Sequence, residues 1–201
     1  MRVDIVVFDG VDELDAVGPY EVLVRAGKEE GWQVRLAVLP GKRPTVRGRH
    51  GLILRAHGRL SAAPDILVVP GGGWVDPGVT GIRAEIAAGE LVRAVAERAE
   101  GCRLVAAVCT GAMVLAAAGL VRGRAATTHH AALADLAAAG ARVRPGRVVR
   151  SGRVMTAGGV SSGIDLGLRI VEELAGRDRA RAVAAQIEHG RRAAWRGGPA
   201  G

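Results

Sequence analysis

Short apolar runs alternate with longer helical patterns along this 201-residue chain, and this alternation most constrains its fold. The runs are rich in valine, leucine and isoleucine, and turn residues bound them, which is typical of buried strands. The predicted strands are 2–8, 32–40, 51–56, 65–70 and 104–108, and the predicted helices are 11–27, 89–99, 164–174 and 179–188. Strands and helices in this order predict an α/β fold with a mostly parallel sheet and helices on both faces.

Two segments allow more detailed predictions. The sequence 146–159 is typical of a hairpin that turns at Ser151 and Gly152. Within the first predicted helix, the apolar residues fall near one face. These residues are Leu14, Val17, Val22 and Val24.

Length and composition indicate a single domain over residues 1–190, followed by a basic C-terminal tail over 191–201. No apolar run is long enough to cross a bilayer, and Met1 leads directly into the first strand without a signal peptide. We therefore expect a cytoplasmic protein with no membrane partner.

The formal net charge of +8 raises the possibility of nucleic-acid binding. The cations are nearly all arginines spread along the chain, no aromatic residues interleave with a basic stripe, and no helix-turn-helix pattern is left unassigned. We expect no specific nucleic-acid partner, and we interpret the basic tail as a solvated segment.

The segment 104–120 carries the clearest chemical signal, because a strand-like run ends abruptly at Cys109. Thr110 and Gly111 follow, and then an alanine-rich run with helical composition. A cysteine at such a turn is presented above the sheet, where the N–H groups and dipole of the next helix stabilise a thiolate. Two interpretations stay open at this point: a nucleophile, or an ordinary buried cysteine.

The other cysteine, Cys102, is interpreted as a loop or edge residue. If 104–108 is a strand, the two cysteines lie about 23 Å apart, which is too far for a disulfide. This agrees with a reducing compartment. Ligand sites of parallel α/β sheets lie at the carboxyl ends of strands, and three segments meet that condition. They are the turn after Phe8, the glycines after Pro70, and Cys109.

Taken together, these segments resemble the ThiJ/PfpI superfamily of class I glutamine amidotransferase-like proteins. Within it, the chain is most similar to isonitrile hydratases and to the homologous ligand domains of AraC-type regulators. The segments that carry the resemblance are 13–23, 68–73, 107–130 and 158–168. The resemblance implies a flavodoxin-like three-layer sandwich, a reactive Cys109, a homodimer and a small-molecule substrate, with no cofactor.

The resemblance also implies roles for Asp15 and His129. Asp15 occupies the position of the acidic side chain that hydrogen-bonds the cysteine sulfur. A carboxyl beside a thiolate has a raised pKa, so it can supply a proton. The alternative for Asp15 is an ordinary carboxylate that caps the start of the helix, and Asp12 and Glu13 are better candidates for that role. His129 matches a histidine that lies near the cysteine in many relatives. Two roles stay open for it: direct catalysis, or a hydrogen bond to the backbone or to a partner subunit.

Thr110 separates two branches of this superfamily. PfpI-type peptidases have histidine directly after the cysteine, so Thr110 argues against a Cys-His peptidase, and its hydroxyl could orient water or substrate. Backbone N–H groups of Gly72 and Thr110, with Gly73 beside them, would form an oxyanion-hole-like pocket.

Asp165 fits a structural role. The remaining histidines have no ligand spacing, so the sequence predicts no metal. They are His50, His57 and His189.

The leading hypothesis is a cofactor-free enzyme of the isonitrile hydratase type, a hydro-lyase in which Cys109 attacks an electrophilic carbon. Asp15 and Thr110 would manage protons and water. One alternative is a ligand-sensing or redox-sensing domain related to AraC-type regulators, standing alone because no helix-turn-helix segment follows it in this chain. Another is a glyoxalase-like or deglycase-like stress protein, against which Asp15 and Thr110 argue mildly.

Overall fold

A computed structural model describes residues 1–75 and 80–190. The predicted tail, 191–201, lies outside these residues. Seven strands form the main sheet in the order β10-β11-β7-β6-β1-β2-β5, and every neighbouring pair is parallel except β10 and β11. The strands of this sheet are β1 (Arg2–Val6), β2 (Gln33–Val38), β5 (Gly58–Arg59), β6 (Ile66–Val69), β7 (Leu104–Val108), β10 (Val148–Ser151) and β11 (Val154–Ala157).

The described residues include seven α-helices, and six of them pack in two groups. One group brings α1, α6 and α7 together, and the other brings together α2, α3 and α4. The helices are α1 (Glu13–Glu30), α2 (Ile82–Ala88), α3 (Glu90–Ala99), α4 (Gly111–Ala117), α5 (Leu133–Ala138), α6 (Ser162–Ala175) and α7 (Arg177–Gln186). This is the flavodoxin-like three-layer sandwich, with a mostly parallel sheet, that the sequence predicts. No helix among the described residues is both long and apolar enough to span a bilayer.

The predicted third strand, 51–56, is not part of the main sheet. Its central residues form β4 (Ile53–Arg55), which pairs antiparallel with β3 (Thr45–Arg47) in a separate two-stranded ribbon. The edge of the main sheet is instead the two-residue strand β5, which is too short for an apolar pattern to reveal. A second small ribbon joins β8 (Ala125–Ala126) to β9 (Arg142–Val143). The hairpin turning at Ser151 and Gly152 is confirmed by the antiparallel pairing of β10 with β11.

Helices α1 and α6 pack closely because glycines line their contact. A Cβ on Gly163 would lie 2.9 Å from Pro19 Cδ, and one on Gly167 would lie 2.9 Å from Val22 Cβ. Gly18 faces Ile164 across the same contact. The small residues therefore let the two backbones approach, which fixes the start of α1 beside the loop that precedes α6.

The predicted apolar face of α1 is only partly correct. Val22 is fully buried, but Leu14 is 40% exposed, whereas Glu13 and Asp15 are buried. The first turn of α1 lies at the carboxyl ends of the strands, where the inward face meets polar backbone groups instead of apolar side chains. Packing therefore turns two carboxyl groups inward at the end of the molecule where a ligand site is expected.

Gly111 allows the start of α4 to lie directly against the end of β6. A Cβ on this residue would collide with the Val69 carbonyl oxygen and come within 2.7 Å of the Pro70 carbonyl oxygen. We expect Gly111→Ala to lower the free energy of unfolding by about 1–3 kcal/mol, as overpacking usually does. Chemical denaturation measures this loss. Gly101→Ala is the matched control, because its Cβ would approach nothing closer than 3.8 Å; equal stability of the two variants would contradict the prediction.

Candidate active site at Cys109

Cys109 occupies a strained turn between β7 and α4. Its φ of 55° lies in the left-handed region, which few non-glycine residues adopt. Surrounding hydrogen bonds hold it there: its N–H is shared by the carbonyls of Ala157 (3.1 Å) and Gly158 (3.0 Å), and its carbonyl accepts from the Thr128 hydroxyl (2.8 Å). Strain that the neighbouring structure maintains is typical of functional positions.

The thiol of Cys109 is more enclosed than the sequence suggests, since the residue is only 5% exposed. Burial raises the pKa of the thiol to about 12, and the negative charge of Asp15 acts in the same direction. Backbone N–H groups of Thr110 and Val160 lower this pKa by hydrogen-bonding the sulfur. Desolvation and the N–H groups therefore act on the thiol in opposite directions, and a stabilised thiolate at Cys109 stays a prediction.

Asp15 lies behind the cysteine and is fully buried. Its Oδ2 accepts the Gly71 N–H at 3.0 Å, while its Oδ1 has no hydrogen-bond partner among the described residues. Burial, with a contribution from the charge of Asp12, raises the pKa of this carboxyl to about 8, although contact with the Cys109 side chain lowers it. The carboxyl is thus mostly protonated at neutral pH, so thiol and acid form a neutral pair that titrates as a unit.

Thr110 and Gly72 are brought together, but not as the sequence predicts. The Gly72 N–H donates to Thr110 Oγ1 at 3.0 Å, so it is not available to an oxyanion, which corrects the role predicted for Gly72. The Thr110 hydroxyl keeps its own proton for another acceptor. The Gly73 N–H, in a residue with φ of 69°, donates to no acceptor among residues 1–75 and 80–190, which makes Gly73 the better donor.

Gly71 explains why this glycine-rich turn lies so close to the cysteine. A Cβ at Gly71 would lie 2.6 Å from the Thr110 nitrogen and 2.9 Å from Asp15 Oδ2. Only a residue without a side chain fits between these groups. The three segments that the sequence singles out therefore converge at the carboxyl ends of β1, β6 and β7.

His129 reaches the same cleft from the turn that precedes α5. Its Nδ1 accepts the Ala131 N–H at 3.2 Å, so the neutral ring carries its proton on Nε2. Burial lowers the pKa of this ring, as does the neighbouring His130. The two histidine rings are 4.1 Å apart because a 3-10 turn starts at His130.

A cleft of about 120 Å³ opens above the cysteine. Its lining includes five of the predicted site residues, and Asp15 is excluded because it lies behind the sulfur. The lining residues are Asp12, Arg49, Gly72, Gly73, Trp74, Val75, Cys109, Thr110, His129 and Val160.

Arg49 and Trp74 are lining residues that the sequence reasoning missed. Trp74 is fixed by a hydrogen bond from its Nε1 to Asp135 Oδ2 (2.7 Å) and by the Arg83 guanidinium 4.0 Å from its ring centroid. Its position directly after Gly71–Gly73 is a signal that could have identified it. Arg49 lies in a basic run 36 residues from the start of α1, and no local pattern connects the two.

Cys102 differs from Cys109 in access. Both thiols are buried, and burial raises the pKa of Cys102 to about 11. Cys102, however, donates to the Pro64 carbonyl at 3.2 Å and does not line the cleft at Cys109. Asp165, whose Oδ2 pairs with Arg147 and whose Oδ1 contacts His189 at 3.1 Å, has contacts that fit the structural role predicted for it.

We expect iodoacetamide to label Cys109 before Cys102 in the folded protein, because only Cys109 borders an open cleft. A thiol with a raised pKa reacts slowly at neutral pH, so the labelling rate should rise steadily between pH 7 and pH 10. Peptide mass spectrometry over a time course at each pH measures both rates. Faster labelling of Cys102 would contradict the prediction, and labelling in denaturant controls for the intrinsic reactivity of both thiols.

Comparisons with known proteins agree with this fold and identify the family. The model of the DJ-1/PfpI family matches residues 1–173. The chain is 35% identical to an isonitrile hydratase from Pseudomonas putida, over 94% of this chain and 78% of that protein. Among solved structures, it resembles a ThiJ/PfpI family protein from Pseudomonas syringae, with a TM-score of 0.82 and 26% identity over 94% of this chain and 75% of that one. It also resembles oxidised DJ-1 from Toxoplasma gondii, with a TM-score of 0.77 and 27% identity over 94% and 98%.

Proposed function

The chain belongs to the DJ-1/PfpI family, and from this premise we propose that it is a cofactor-free isonitrile hydratase whose nucleophile is Cys109. The observation that carries the proposal is the fully buried Asp15 carboxyl beside the Cys109 thiol, which lies at the base of a small cleft. Such a pair can supply a nucleophile and a proton together, which addition to an isonitrile carbon requires.

In the first step, a sulfur lone pair of Cys109 forms a bond to the terminal carbon of the isonitrile. The lone pair of that carbon takes the proton that leaves the thiol, which gives a thioimidate with an N=CH–S linkage. Asp15 touches the site only through the sulfur, because it is fully buried and does not line the cleft. It therefore acts as a positioning residue. Its carboxyl holds the thiol proton in place and stabilises the charge that develops on the sulfur when this proton leaves.

In the second step, water adds to the thioimidate carbon and the substrate nitrogen takes a proton. The carbon–sulfur bond then breaks, the sulfur recovers a proton, and an N-substituted formamide leaves. The net reaction converts an isonitrile and water into an N-substituted formamide, and it needs no oxidant or reductant. Thr110 and His129 border the cleft with an O–H and an Nε2–H, respectively, and we assign them to orienting the water and the substrate nitrogen.

The size of the cleft limits which part of the substrate it can hold. A volume of about 120 Å³ accommodates the isonitrile group and little more. A larger depression of about 600 Å³ shares His129 and Val160 with the cleft and is lined on its far side by Leu133, Val143 and Pro145. The organic substituent would extend into it, so aliphatic or aromatic isonitriles are the substrates to test first.

A redox-sensing role is the second candidate, and it has its own supporting observation. The backbone N–H groups of Thr110 and Val160 act on the sulfur and lower its pKa, and they would donate to the oxygens of a cysteine sulfinic acid. The similarity to oxidised DJ-1 from Toxoplasma gondii points in the same direction. A sensor of this kind would show oxidation of Cys109 without turnover of any isonitrile.

The test is a substrate panel of aliphatic and aromatic isonitriles, methylglyoxal and unstructured peptides, with product identified by nuclear magnetic resonance. We expect formamides from isonitriles and no peptide cleavage, with Cys109→Ala as the blank. Methylglyoxal turnover without formamide would instead support the glyoxalase-like alternative. Absence of turnover, combined with sulfinic acid at Cys109 under mild peroxide, would overturn the hydratase in favour of the sensor.

A further inference from the structure

Three side chains of metal-ligating type meet beside the cleft, and one of them, Asp12, lines it. Asp12 and Glu13 lie at the start of α1, and His50 lies in the turn between β3 and β4. One donor atom from each residue lies within 4.8 Å of the other two. His50 and Glu13 are 37 residues apart, so spacing along the chain could not reveal this group.

Glu13 is the residue that gives this cluster a specific need for a ligand. It is only 5% exposed, and its Oε1 accepts two backbone N–H groups, from His50 at 2.8 Å and from Leu52 at 3.2 Å. Its Oε2 is buried and has no hydrogen-bond partner among the described residues. A buried carboxylate oxygen without a partner is energetically costly, so it calls for a cation or a bound donor.

The surrounding backbone holds the donors in place before any ligand arrives. A Cβ on Gly48 would collide with the Glu13 side chain, so this glycine lets the turn that carries His50 close over the carboxylate. The two carboxylate oxygens of Asp12 also have different partners. Its Oδ1 accepts the Leu14 N–H at 3.3 Å, and its Oδ2 lies 3.7 Å from His50 Nε2. Each carboxylate thus uses one oxygen for the fold and leaves one for the cluster.

We propose that Asp12, Glu13 and His50 bind a divalent cation of the zinc class. One imidazole nitrogen and two carboxylate oxygens, with water as a fourth ligand, are a known type of donor set for Zn²⁺. Tetrahedral donors lie about 3.4 Å apart around such an ion, and the exposed His50 ring has the freedom to close the remaining gap. Arg49 lines the same cleft as Asp12, and its positive charge opposes cation binding.

Isothermal titration with Zn²⁺, and metal analysis after dialysis, test the site directly. All proteins carry Cys109→Ser, because a thiol in the neighbouring cleft is itself a zinc ligand. We expect one Zn²⁺ per chain, and we expect His50→Ala to weaken binding by about 10-fold or more, since loss of even an outer-shell partner has that effect. His130→Ala is the matched control, because His130 is also exposed but lies outside the cluster.

Two further variants keep the proposal open to refutation. Asp12→Asn should weaken binding as His50→Ala does, and Glu13→Gln should do so if circular dichroism shows that it folds. The proposal is overturned if His130→Ala abolishes binding while His50→Ala does not. It is also overturned if Ca²⁺ or Mg²⁺ binds more tightly than Zn²⁺, or if no binding is detected below millimolar Zn²⁺. The hydratase proposal does not depend on these results, because its mechanism uses none of the three ligands.

Discussion

Cys109→Ser should lower isonitrile turnover by about 1,000-fold or more, the scale expected when a covalent nucleophile is lost. Serine has nearly the same size and fits the strained turn, so the fold and the cleft should remain intact. Its hydroxyl is a far weaker nucleophile than sulfur, and the N–H groups of Thr110 and Val160 cannot compensate. Steady-state kinetics on the best isonitrile of the panel measure the loss.

Cys102→Ser is the matched control for this variant. Cys102 is as buried as Cys109, and a serine there can keep the hydrogen bond to the Pro64 carbonyl. Turnover should therefore equal that of the wild type. If Cys109→Ser kept a tenth or more of the activity while its thermal unfolding was unchanged, the thiol would not be the nucleophile and the proposed mechanism would fail.

The sequence predicts the strand-to-helix turn at Cys109 because a fully buried parallel strand has an unbroken apolar pattern. Each residue of β7 is buried, and the glycine that follows Thr110 fits against the end of β6. What the pattern could not predict is the enclosure of the thiol. Burial depends on the turns after β6 and β11, which approach Cys109 from distant parts of the chain, and it raises the pKa of the thiol.

Asp15 shows a different limit of sequence reasoning. Apolar periodicity places Leu14 on the packed side of α1, yet Leu14 is 40% exposed and Asp15 is fully buried. Only the resemblance to a family identifies Asp15 as the residue beside the sulfur. The bond from Gly72 to Thr110 and the meeting of Glu13 with His50 are contacts between segments more than 30 residues apart, and no local pattern encodes them.

The second large effect is expected at Asp15. Asp15→Asn keeps the size of the side chain and an oxygen that can accept the Gly71 N–H, so stability should change little. Because the amide cannot exchange a proton with the thiol, turnover should fall by about 100-fold, within the usual range for lost acid–base assistance. KM should change much less than kcat, since Asp15 does not line the cleft.

The dependence on pH separates a positioning role for Asp15 from a merely structural one. Ionised Asp15 raises the pKa of Cys109, so removing its charge should lower that pKa, and the pH profile of Cys109 alkylation should move to lower pH. Wild-type turnover requires the protonated carboxyl and should decline as pH rises through about 8, where Asp15 ionises. The variant should lack this decline, because an amide does not titrate. Near wild-type turnover in Asp15→Asn, with an unchanged alkylation profile, would show that the carboxyl only supports the Gly71 turn.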